Sequence, residues 1–89
     1  MGSMIIRMKI MPKAVETNLE EIKEKVKELI ESFEGKGCVF EEEPIAFGLK
    51  ALIVAFMLPE SAEIDPVQEG IEKIQGVNSI EVIDLRRAL

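Results

Sequence analysis

The stretch Leu49 to Leu58 (LKALIVAFML) most constrains what this chain can become. Read with a period of two, Leu52, Val54, Phe56 and Leu58 fall on one face. Leu49, Ala51, Ile53, Ala55 and Met57 fall on the other. Its uninterrupted apolar part, Ala51 to Leu58, is far below the roughly 18–20 residues that span a bilayer. A strand apolar on both faces belongs in the middle of a sheet, with neighbours on each side. Pro59 ends it, because proline has no N–H for the ladder. The rest of the chain must therefore supply flanking strands and a cover.

The remaining segments fill those roles. Met4 to Met11 (MIIRMKIM) alternates, with Ile6, Met8 and Ile10 on one face and Arg7 and Lys9 on the other, and Pro12 closes it. Thr17 to Phe33 carries Leu19, Ile22, Val26, Leu29, Ile30 and Phe33 at steps of three and four, one stripe of a helix. Thr17 and Glu20 have the spacing of a capping box. Glu21 and Lys25 are placed for an i,i+4 pair worth ~0.2–0.5 kcal/mol. Gly35 and Gly37 are the expected helix stop. Cys38 to Glu43 reads as a short edge strand. Its three glutamates, Glu41 to Glu43, would discourage edge pairing rather than bind metal, since neighbouring strand residues point to opposite faces. Asp65-Pro66 reads as N-cap and first helical residue, with Val67, Ile71 and Ile74 as the buried stripe and Gly76 as the stop. Val77 to Leu85 is the last strand, with Ile80 and Val82 on one face, and Arg86 to Leu89 is a tail. Met1-Gly2-Ser3 looks like a cloning remnant, which leaves residues 4–89 as one domain.

The order strand-helix-strand-strand-helix-strand predicts an α+β, ferredoxin-like β-α-β-β-α-β sandwich. It has a four-stranded antiparallel sheet with both helices on one face. In its usual spatial order, 4-1-3-2, the third strand is internal, as Leu49 to Leu58 requires. The turn holding Phe47 then lies at one end of the sheet and the tail at the other, roughly 25 Å apart at ~3.3 Å per residue. The open sheet face keeps some apolar groups, a pattern that often marks a contact surface.

Composition narrows the function. Eleven Lys and Arg against seventeen Asp and Glu give a net charge of −6, which argues against non-specific nucleic-acid binding. With one Cys and no His among 89 residues, disulfide frameworks, zinc fingers and His-dependent nucleophilic sites fall away. The chain offers no catalytic set, no metal set and no cofactor motif, and no signal segment or membrane span is read in it. Cys38 is expected to be a reduced, half-buried thiol of a cytoplasmic protein.

Glu42 to Leu52 (EEPIAFGLKAL) resembles the archaeal translation elongation factor 1-beta family. Met8 to Pro12 (MKIMP) is similar to that family's first strand. Ile74 to Val82 (IQGVNSIEV) is similar to its second-helix exit and last strand. The resemblance spans Met4 to Leu89. It implies a guanine-nucleotide exchange factor acting on elongation factor 1-alpha by protein binding, with no direct nucleic-acid or membrane partner. It implies that Phe47, in the PIAFG motif with Pro44, Ile45 and Gly48, is an anchor on the GTPase. Lys50 beside it would meet an acidic patch or reach to solvent. In eukaryotic relatives a lysine near the C-terminus reaches toward the nucleotide's Mg²⁺. This chain has no lysine there, and Arg86 and Arg87 are its only tail cations, though guanidinium and ammonium are not equivalent.

From the residues alone, Phe47 either folds back on the core or fills a partner pocket, and Arg86 and Arg87 either function or solvate a frayed end. Three other functions have weaker support. A small-molecule-binding regulatory domain of this fold would want a glycine-rich loop after the first strand, and Met11 to Asn18 has no glycine. An RNA-binding sheet would want open-face aromatics, and only Phe40 and Phe56 lie in strands. A small acylphosphatase would want an arginine cradle, and the same loop offers Lys13 and Asn18 without one.

Overall fold

The computed structural model describes residues 2–88. Met1 and Leu89, the ends of the expected remnant and tail, lie outside the described residues. The elements are β1 (Ser3–Pro12), α1 (Leu19–Ser32), β2 (Lys36–Pro44), β3 (Lys50–Pro59), α2 (Asp65–Glu72) and β4 (Val77–Ala88). They form one antiparallel sheet in the order β2-β3-β1-β4. This is the predicted ferredoxin-like topology, with β3 internal.

The core lies between the helices and one sheet face. Ile6, Met8 and Ile10 of β1 and Leu52, Val54, Phe56 and Leu58 of β3 meet Ile22, Val26 and Ile30 of α1 and Val67 and Ile71 of α2. These are among the residues that the two periodicities assigned inward; Phe33, placed in the same stripe, is instead the C-cap of α1 and is exposed. On the opposite sheet face, Ala51 and Ile53 are also buried. Glu43 lies opposite Ala51 and Lys9 opposite Ile53, and Lys9 Nζ reaches Glu43 Oε1 at 3.9 Å diagonally across β3. Long charged side chains thus cover apolar surface that no helix reaches. Phe40 pairs with Val54, and Phe56 is buried in the core, so neither is on the open face. The RNA-binding reading loses its aromatics.

The helix ends differ from the sequence reading. Asn18, not Thr17, caps α1: its Oδ1 accepts from the Glu20 and Glu21 N–H groups at 3.1 and 3.2 Å. Thr17 Oγ1 instead accepts from Ala14 N–H in the preceding loop. Lys23, rather than Lys25, makes the ion pair of the first turns, with Glu20 at 2.8 Å. At the other end Glu34 N–H donates to Glu31 O and Gly35 N–H donates to Ile30 O, a Schellman closure. Its left-handed residue is Glu34, at φ 67°, not a glycine. Gly35 serves close packing, since a Cβ there would overlap Ile30 Cγ2 and lie 3.3 Å from Leu58 Cδ2. Glu34→Gly is therefore expected to raise stability by about 1 kcal/mol, because glycine takes positive φ without the Cβ penalty; urea unfolding measures it. In α2, Asp65 is the first helical residue, not the cap. Ile64 occupies the cap position with helical φ/ψ and no side-chain bond.

β4 runs through Arg86 and Arg87, which pair with Ile5 and Met4. The frayed-tail reading is thereby corrected: three residues expected outside the sheet are strand. β1 likewise starts at Ser3, opposite Pro59 and Ala88.

Candidate functional site

The β2–β3 connection is built for a tight reversal. Pro44 closes β2 opposite Lys50. Ile45 N–H donates to Leu49 O at 2.8 Å, and Leu49 N–H donates to Ala46 O at 2.9 Å. Phe47 and Gly48 are the central residues of that last turn, at φ 54° and 82°. Two successive positive φ values are the signature of a type I′ turn, which strongly prefers Asn-Gly or Gly-Gly. Gly48 meets the demand. Phe47 does not, since its Cβ is crowded in the left-handed region.

That position also holds Phe47 out of the core: the residue is 97% exposed. The tucked-in alternative is thereby excluded. Two independent costs, backbone strain and an aromatic ring in water, fall on one residue. Strain of this kind collects at sites of function.

Other apolar groups share this end of the sheet. Ile45 is 40% exposed. Val15, in the β1–α1 loop, is 58% exposed and lies against the turn, where a Cβ on Gly48 would be 3.5 Å from its Cγ1. Sequence reasoning missed Val15, although a β-branched residue in a short polar loop was the available signal. A cleft of about 420 Å³ opens beside the turn, between Val15, Asn18, Glu20, Glu42, Gly48 and Lys50.

Electrostatics here are local and paired. Lys23 Nζ lies 2.8 Å from Glu20 Oε2 and 3.4 Å from Glu42 Oε2, tying α1 to β2. Lys50 Nζ lies 3.8 Å from Glu42 Oε1. The Glu20 hydrogen bond, followed by that to Glu42, outweighs desolvation and raises the Lys23 pKa above its ordinary 10.5. A raised folded pKa adds stability that is full below the unfolded value and lost as pH rises through the folded one. Lys23→Met is thus expected to cost about 0.2–1 kcal/mol at neutral pH. It should also flatten the alkaline decline above about pH 10.5, as thermal melts across that range would record.

Arg86 and Arg87 lie at the other end. Arg86 Nε bonds Asp84 Oδ2 at 3.0 Å, and Arg87 Nε lies 2.6 Å from Glu60 Oε1. The molecule extends 43 × 20 × 18 Å. From Lys50 to Met57, the β3 residue beside Ile5 and hence Arg86, is roughly 23 Å of strand. Pro44, Ile45, Phe47, Gly48 and Lys50 are therefore brought together, and the arginines are not among them. Cys38 is half-buried, and its thiol pKa is raised, first by burial and then by Glu31. No group of three acidic or thiol side chains among the described residues could hold a metal. Among the described residues, no helix is long and apolar enough to cross a membrane.

Against known proteins, residues 5–88 match the model of the EF-1 guanine nucleotide exchange domain. The chain belongs to this family. It is 42% identical over 88 residues to the elongation factor 1-beta of Methanosarcina barkeri, covering 98% of this chain and 99% of that protein. The elongation factor 1-beta of Staphylothermus marinus is 38% identical over 90 residues, covering 98% of each. That of Archaeoglobus fulgidus is 38% identical over 87 residues, covering 96% and 97%. The exchange-domain match and the topology thus agree with the family resemblance carried by Glu42 to Leu52.

Proposed function

We propose that this chain promotes exchange of GDP for GTP on elongation factor 1-alpha during protein synthesis, in the cytoplasm. The observation that carries the reading, beside family membership, is Phe47, strained and exposed at the tip of a rigid hairpin. Such a residue fits a partner pocket as a binding hot spot. Pro44 and Gly48 set the turn, Ile45 and Val15 widen the apolar contact, and Lys50 faces an acidic patch on the GTPase.

The action requires no covalent chemistry and no cofactor of the chain's own. A protein that binds the nucleotide-free GTPase more tightly than the GDP form must, by linkage, weaken GDP by the same factor. Each 1.4 kcal/mol of that difference is about tenfold. Contacts at both ends of a stiff sheet suit the task, because they hold two parts of the GTPase at a fixed separation. An arginine at the β4 end supplies positive charge near the bound phosphate and Mg²⁺.

Stopped-flow release of fluorescent GDP from purified elongation factor 1-alpha, with and without this protein, tests the reading. Acceleration that saturates with protein concentration is expected. An unchanged off-rate would remove the function and leave the fold untouched.

A further inference from the structure

The two edges of the sheet are built differently. β2 carries Glu41, Glu42 and Glu43 and a kink at Gly37, both of which oppose strand addition. β4 forms the other edge over twelve residues and leaves Val82, Ile83 and Leu85 at 36%, 41% and 51% exposure. We propose that β4 pairs antiparallel with β4 of a second copy of this chain, giving a two-fold dimer with one continuous sheet.

The occupant is argued from the pattern along β4 itself. Arg7 lies opposite Asp84 and Met8 opposite Val82, so Ile83 is an extra residue that resets the alternation. Val82 and Leu85, opposite Met8 and Ile6, therefore share the helix-covered face, and Glu81, Asp84 and Arg86, opposite Lys9, Arg7 and Ile5, share the open face. Place the two-fold axis between Ile83 and Asp84. Val82 then lies opposite the partner's Leu85, and Glu81 opposite the partner's Arg86, each pair on its proper face and each made twice. The two bulges meet at the axis, so the offset of one matches that of the other. Asp84 occupies only Nε of Arg86, which leaves the Nη groups for a second carboxylate.

Neighbouring registers lack this match. A slip of one residue opposes side chains from different faces. A slip of two sets Glu81 against the partner's Asp84, a like-charge pair directly opposite. The β2 edge is poorly suited to self-pairing, because Glu41 to Glu43 are consecutive like charges and its one cation, Lys36, lies beyond the kink at Gly37.

Sedimentation of the full chain over a concentration series tests this, and mass is a readout independent of nucleotide exchange. The expected result is a mass that rises toward twice the monomer value. Leu85→Lys should raise the dissociation constant at least about tenfold. Glu81→Arg and Arg86→Glu should each weaken pairing, and the double swap should restore it. That restoration carries the test even where Leu85→Lys fails to fold. The proposal is overturned by a monomer at every concentration up to about 1 mM, by a dimer indifferent to these changes, or by a double swap no tighter than the singles.

Discussion

Phe47→Asn is expected to stabilise the isolated protein while removing most of its effect on the GTPase. Phe47 sits at φ 54° in the first central position of the turn, where asparagine is a preferred residue. Asparagine keeps a Cβ, but its short amide can bond the local backbone and lowers the cost of the left-handed region by up to roughly 1 kcal/mol, and the ring, 97% exposed, leaves no cavity when lost. The unfolding midpoint should therefore rise. A hot-spot aromatic costs about 2 kcal/mol or more when truncated, which is roughly a thirtyfold loss in partner affinity. Stimulated GDP release at sub-saturating protein should fall accordingly. Opposite signs for stability and activity separate a contact residue from a structural one. A variant less stable than the parent would show that Phe47 supports the fold, and an equally active one would show that it is no contact for the partner.

That prediction rests on a conflict between levels that the sequence states only in part. PIAFG announces a turn, and the run after it announces an internal strand. Burial would draw Phe47 inward, whereas the hairpin's twist demands positive φ at its tip and holds the ring away from the sheet. Periodicity alone cannot say which of these wins. The core was legible because Leu52, Val54, Phe56 and Leu58 repeat with the period of the pleat, and Ile22, Val26 and Ile30 with that of the helix. Helix ends were less so. Thr17 and Asn18 are adjacent and both able to cap, and the choice follows from where the chain leaves the β1–α1 loop. Glu34 carries the left-handed φ because Gly35, the expected stop, is needed one residue later for contact with Ile30 and Leu58. The extent of β4 was hidden for a different reason. Arg86 and Arg87 have no apolar pattern, and they are strand because β1, beginning at Ser3, supplies partners beside them.

That extension changes how the β4 end has to be tested. Deleting everything after Leu85 would remove three rungs of the β1–β4 ladder, so lost activity would not distinguish a missing cation from a damaged sheet. Side-chain substitution keeps the backbone bonds. Arg86 and Arg87 are successive strand residues, so they project from opposite faces and do not reach one site together. Arg86 is held over the open face by Asp84, whereas Arg87 pairs with Glu60 just beyond β3, at the extreme of the long axis where a second GTPase contact would fall. Arg87→Ala is therefore expected to lower stimulated GDP release about tenfold or more, consistent with losing a charged group from an interface. Arg86→Ala should stay within roughly threefold of the parent. Both pairs are exposed, so each substitution should change stability by less than about 1 kcal/mol. Arg87→Lys adds a finer distinction. Retained activity means that the site needs a positive point charge, and loss means that it needs the planar guanidinium fork. Equal losses at both positions, or none at either, would place the second contact somewhere other than this end of β4.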